Sequence, residues 1–190
     1  MTLPSITVVL AAFLVATQAL SQDAGDTKLT APERRMCAAT ICQHNVRVTL
    51  HAKGGKLFDK TFNVLPGIVQ PIGLTIVAGQ TIHVEASIAD GKLSEMVAVA
   101  AVVDPEKTIT ASLEQTDDGG MMLIVKNPFN VTLKFNLGMM PLDAEKIFST
   151  SSCPLVPKGS IYEMWPYPIF QIVIGNGHVL EDTSKAVCEN

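Results

Sequence analysis

Every Trp and Tyr of the chain, one and two residues respectively, falls in a single short stretch: Tyr162, Trp165 and Tyr167. Pro154, Pro157, Pro166 and Pro168 surround them. Proline fixes its own φ and biases the preceding residue toward extended backbone, so the stretch is expected to be an extended, stiff loop. Planar amphipathic side chains held on such a loop supply contact area at low entropy cost, which suits recognition of a glycan, a peptide or a protein partner. The competing reading is a lid that closes one edge of the domain with Trp165 in the core, and the scarcity of other large aromatic residues favours it.

The remaining reactive residue types form weaker constellations. Met36, Cys37, Cys42 and His44 lie close together, and Met121-Met122 and Met139-Met140 are paired. Thioether and thiolate ligands select copper(I). Paired methionines, however, put one residue of each pair on the opposite face of a strand, and a disulfide would consume both thiolates. Cys-x4-Cys with His44 lacks a second ligand pair for zinc, so no metal or other cofactor is expected. Ser149, Ser151, Ser152 and Ser160 sit in no Gly-x-Ser-x-Gly frame, and His44, His51, His83 and His178 are dispersed. No catalytic residue is assigned. Asp117-Asp118 before Gly119-Gly120 is turn chemistry rather than a calcium loop. Asn130-Val131-Thr132 matches a glycosylation sequon, which matters in a eukaryotic host alone.

The cysteines are read through the amino terminus. Residues Leu3 to Leu20 are apolar, unbroken from Val8 to Val15, with no charge before Asp23. The stretch is shorter than a spanning helix needs, and Ala19-Leu20-Ser21 offers small residues at the positions signal peptidase reads. A cleaved signal peptide over 1–21 is expected, with no transmembrane segment after cleavage and a periplasmic or secreted product. In an oxidising compartment Cys37, Cys42, Cys153 and Cys188 should be disulfide-bonded. Four cysteines allow three connectivities. Local pairing, Cys37–Cys42 and Cys153–Cys188, is preferred because it requires no approach of the two chain ends.

The elements that position these residues are mostly strands. A polar leader and a short helix over Ala31 to Ile41 fill 22–44, and one domain follows over 45–190. Val46, Val48 and Leu50 alternate with Arg47, Thr49 and His51, and Gly54-Gly55 turns the chain into Leu57–Val64. The same period-two pattern recurs at Ile82–Ile88, Ile109–Leu113 and Val131–Leu137, and Met122–Lys126 is the return strand after the turn that follows the second of them. Asp90-Gly91 and Asp117-Asp118-Gly119-Gly120 are turns. Met96–Val103 is continuously apolar and is expected as a strand buried on both faces. Asp143–Phe148 is expected as a helical turn, and Ile169–Ile174 is the last apolar run, followed by Gly175-Asn176-Gly177 and Val179-Leu180. Short strands joined by Gly/Asp/Asn turns predict an all-β fold, an antiparallel immunoglobulin-like β-sandwich. Fourteen Lys and Arg against eighteen Asp and Glu, a net charge of −4, supply no phosphate-neutralising excess, so no nucleic-acid partner is expected.

The runs VKNPFNVTLKFNLGMM (125–140) and STSSCPLVPKGSIYEMWPYPIFQIVI (149–174) resemble an uncharacterised group of exported bacterial proteins with an immunoglobulin-like sandwich. That resemblance implies export and no known activity, and it transfers no functional residues. The expected function is a noncatalytic envelope or binding protein whose partner is an envelope protein or a glycan. A small exported hydrolase is the alternative, and a periplasmic copper carrier the third.

Overall fold

The computed structural model describes residues 29–182 together with 187 and 188; the expected signal peptide and most of the leader lie outside them. The first element is helix α1 (Ala31–Ala39), started by a capping box in which Thr30 accepts from the Glu33 amide while Glu33 accepts from the Thr30 amide. None of its residues is buried, so α1 is appended to the fold rather than packed into it.

The rest is antiparallel β-structure. The strands are β1 (Gln43–His51), β2 (Leu57–Leu65), β3 (Val69–Gln70), β4 (Gly73–Val77), β5 (Thr81–Ala89), β6 (Lys92–Val99), β7 (Thr108–Gln115), β8 (Met121–Lys126), β9 (Leu133–Pro141), β10 (Phe148–Thr150), β11 (Ser160–Trp165) and β12 (Ile169–Val179). β1 and β2 form a separate hairpin. The others run in the order β10-β9-β12-β6-β5-β7-β8-β11, with β4 also on β12 and β3 on β4. β12 meets β6 through a single residue pair, His178 with Lys92.

The alternation read in the sequence becomes the burial pattern. Val48, Leu50, Ile82, Val84, Ile109, Leu113, Leu133, Phe135 and Leu137 are all buried, and their sequence neighbours are more exposed apart from Thr108 and Thr132, which are buried too. One apolar cluster collects side chains from the hairpin and from the strand order between β9 and β11, including Trp165, Phe170 and Ile172. The hairpin joins it through Phe62, whose ring lies 5.1 Å from that of Phe170.

Several segments depart from expectation. β12 continues beyond the last apolar run to Val179, and Gly175-Asn176-Gly177 is an irregularity in its pairing with β9, with Asn176 at φ 50°. Asp143–Phe148 forms no helix: Ala144 donates to the Pro141 carbonyl in a tight turn, and Phe148 opens β10. The proline-flanked aromatic stretch is not wholly a loop, because the prolines bracket residues 160–165 and leave them free to pair as β11. Met96–Val103 is neither one strand nor buried. β6 ends at Val99, and Val97, Val102 and Val103 are exposed, since past Lys92 the β6 edge away from β5 pairs with no strand among the described residues.

Both disulfides join neighbours in sequence, Cys37 to Cys42 and Cys153 to Cys188. Among the described residues no helix is long and apolar enough to cross a membrane.

The hairpin carries an acid-sensitive pair. Arg47 donates to both Asp59 carboxylate oxygens at 2.8 and 2.6 Å, and Thr49 adds a bond at 3.4 Å. The hydrogen bonds from Arg47 hold the Asp59 carboxyl below the ordinary carboxylate range. A carboxyl depressed in the folded state contributes stability above its unfolded pKa, about 3.9, and loses it as pH falls through the lower folded value. The urea midpoint should therefore drop less between pH 7 and pH 2.5 in Arg47→Ala than in the parent. An equal drop in both would show that the pair is energetically silent.

Candidate functional site

Strand geometry separates the three aromatic residues. Along β11 the side chains alternate, so Ile161, Glu163 and Trp165 are buried while Tyr162 and Met164 stand exposed on the other face. The Trp165 indole N–H donates to Thr150 Oγ1 at 3.1 Å, and Glu163 accepts from the Cys153 amide at 2.7 Å. These bonds fasten β11 to the end of β10 and to the segment that follows it. Trp165 and Tyr162 thus serve opposite faces and do not share a surface.

Tyr167 has a different position. It lies between Pro166 and Pro168 at the corner from β11 to β12, 38% exposed, and its hydroxyl donates to Met139 Sδ at 3.5 Å. The corner stands opposite the β1–β2 turn, and two adjoining clefts open between them. One, of about 690 Å³, is lined by Lys53, Lys56, Phe58, Leu142, Tyr167 and Pro168 among others, with Asp143 also at its wall. The other, of about 550 Å³, includes His51, Gly54, Asp117 and Asp118 in its lining. Ala52, Lys53, Tyr167 and Pro168 line both, so the two form one groove with the Tyr167 ring at its middle.

The groove walls are fixed by one side chain that the sequence did not single out. Gln115, at the end of β7, accepts from the His51 amide at 2.7 Å and donates to the His51 carbonyl at 2.9 Å and the Gly119 carbonyl at 3.1 Å. It ties the end of β1 to the β7–β8 turn. Gly54 and Gly55 take positive φ in the opposite wall, a conformation that glycine adopts without steric cost.

Charge is distributed unevenly along this groove. Lys53 and Lys56 form no ion pair among the described residues, and they flank the end walled by Phe58 and Leu142. At the other end Asp118 accepts from Thr116 Oγ1 at 2.5 Å and from the Gly120 amide at 3.2 Å. Those bonds, the Thr116 hydroxyl first, lower its pKa and keep the carboxylate ionised as part of the turn. The groove therefore offers an aromatic platform and an apolar wall, with two ammonium groups and Asp143 around one cleft and the carboxylates of Asp117 and Asp118 at the other.

The other residues considered for chemistry are placed apart. Cys37 and Cys42 are bonded to each other, which removes both thiolates beside His44. Ser152 is buried and donates to the Phe135 carbonyl, and His83 pairs with Thr110 Oγ1 at 3.1 Å. Among the described residues no group of three or more His, Cys, Asp or Glu is arranged to hold a metal ion. No family model, curated protein or solved structure matches the chain.

Proposed function

We propose that this is an exported, noncatalytic binding protein built as an immunoglobulin-like β-sandwich, and that the Tyr167 groove holds an extended segment of an envelope or secreted protein. The observation that carries the reading is the position of Tyr167: half-exposed, stiffened by a proline on each side, and lining both clefts beside two lysines that have no ion-pair partner among the described residues. Aromatic anchors of limited rotamer freedom, framed by charge, are the usual centres of binding energy. An extended peptide fits a long, open groove better than a compact ligand does, and the lysines favour acidic side chains in it. Export is supported by two disulfides, which persist outside the reducing cytosol. The sandwich is supported by the single bridge between β12 and β6, which lets the sheet fold over its apolar cluster.

The test is selection of random dodecapeptides displayed on phage. Enriched peptides should carry an acidic residue next to an apolar one. Tyr167→Ala should weaken their binding by about tenfold or more, as loss of a hot-spot side chain does. Lys53→Glu/Lys56→Glu should weaken it further at low salt than at high salt. Absence of enrichment, or enriched peptides indifferent to Tyr167→Ala, would reject the groove as a peptide site. So would Tyr167-dependent binding confined to glycans.

A further inference from the structure

Where β12 leaves β4 and touches β6, a cavity of about 360 Å³ opens between Leu74, Leu93, Met96, Phe135, Lys92 and His178. Leu74 and Phe135 are 1% exposed and form its floor. Two basic residues stand together there, because Lys92 and His178 are the cross-strand pair that joins the two strands. Directly opposed residues hold their Cβ atoms roughly 5 Å apart. Lys92 makes no ion pair among the described residues. The His178 Nδ1 hydrogen is committed to the Asn176 carbonyl at 2.8 Å, which leaves Nε2 for another partner.

A second cavity, of about 580 Å³, continues from the first. The two share Pro71 and Met96, and the second runs along the unpaired edge of β6 past Ile68, Val69, Val97 and Ile41. No charged side chain lines it. Here lie two apolar residues whose exposure nothing else explains, Ile41 at 93% and Val97 at 57%. The combined channel is thus positive at one end and uncharged along its length. From Lys92 to Ala98 it spans roughly 20 Å at about 3.3 Å per residue, close to the length of an extended sixteen-carbon chain.

We infer that this channel binds a long-chain fatty carboxylate, with its head on Lys92 and His178 and its tail along the open edge of β6 over Met96, Val97 and Ile41. The carboxylate fits because the Lys92 ammonium supplies N–H donors and one positive charge to its two oxygens and one negative charge, while His178 at the same mouth donates from Nε2 only as the imidazolium. A flexible thioether at the junction suits an alkyl chain, since methionine adapts its shape to apolar partners. This site is separate from the Tyr167 groove and does not depend on it.

The test is displacement of a fluorescent fatty acid from the delipidated protein lacking residues 1–21, by hexadecanoate, decanoate and hexadecanol. Hexadecanoate should bind saturably with one site per chain, and hexadecanol about tenfold more weakly, because it forfeits a charged hydrogen bond. Lys92→Glu, at an exposed position, should weaken hexadecanoate by about tenfold or more and leave hexadecanol nearly unchanged. Val97→Asp, also exposed, should weaken hexadecanoate and spare decanoate, whose tail stops short of it. Tyr167→Ala should alter none of these values. No saturable binding, or binding blind to head charge, to Lys92→Glu and to Val97→Asp, would overturn the inference.

Discussion

Asn127→Ala should destabilise the protein by about 2–4 kcal/mol, because one buried amide serves four backbone groups. Asn127 is 4% exposed and follows β8. Its Nδ2 donates to the carbonyls of Val131, Leu155 and Val156 at 2.8, 3.2 and 3.0 Å, and its Oδ1 accepts from the Phe129 amide at 2.9 Å. The side chain therefore closes the β8–β9 connection and binds it to the segment that leads into β11. Leu155 and Val156 keep other donors, the amides of Leu133 and Gly159, so the substitution strands mainly the Val131 carbonyl and the Phe129 amide. A domain of this size loses roughly 2–4 °C of Tm per kcal/mol, which puts the expected fall between about 5 and 15 °C. Asn127→Asp separates this account from simple loss of volume. It preserves the acceptor but turns a carboxylate oxygen toward three carbonyls, so it should be worse than alanine at pH 7 and recover partly at acid pH, where a protonated carboxyl can donate. A Tm for Asn127→Ala within 2 °C of the parent, or an aspartate variant no worse than alanine, would sink it.

The elements that the sequence disclosed are those in which local chemistry decides the outcome. Ile82, Val84 and Ala86 alternate with polar residues, so a strand with one buried face was readable, and Asp90-Gly91, both at positive φ, was readable as its turn. Disulfide pairing was readable because each cysteine has a near neighbour in the chain. Elements decided by pairing partners were not. β4 is short and buried at every residue, and carries no period to detect. Gly175-Asn176-Gly177 has the composition of a turn, and only the pairing of β12 with β9 and β4 on its two sides makes it a bulge. Met96–Val103 has the composition of a core strand, yet an apolar run is buried only if other strands cover it, and topology leaves this one at an edge. The groove was half legible. Tyr167 was named from its prolines, but its opposite wall comes from residues 51–58 and 117–118, brought there by the hairpin and by Gln115 through bonds no periodicity encodes.

Removing the Cys153–Cys188 bridge should cost roughly 3–4 kcal/mol by the chain-entropy estimate for a loop of this length. The two residues are 35 positions apart, and the loop encloses β11, β12 and both of their connections. The effect should arise mainly in the unfolded chain, because the folded segment has independent anchors. The Cys153 amide is held by Glu163, Ser152 Oγ by the Phe135 carbonyl, and Thr150 by the Trp165 indole. Lys134 Nζ donates to the Ser152 carbonyl and, at 3.4 Å, to that of Val187 beside the bridge. A Cys153→Ser/Cys188→Ser variant should therefore keep the native near-ultraviolet spectrum while its Tm falls by about 8–15 °C. Trp165, 8% exposed within the enclosed loop, reports on this directly: its emission should shift in one step at the lowered midpoint, with no earlier transition. The other bridge provides the contrast. Cys37 and Cys42 are 5 positions apart at the end of a helix with no buried residue, so opening that loop releases less chain entropy, and Thr40 within it keeps its bond to the Val69 carbonyl. Cys37→Ser/Cys42→Ser should lower Tm by no more than about half as much. If the short loop proves the costlier to open, stabilisation by closure of the β11–β12 loop is wrong, and strain or packing at Cys37–Cys42 must outweigh it.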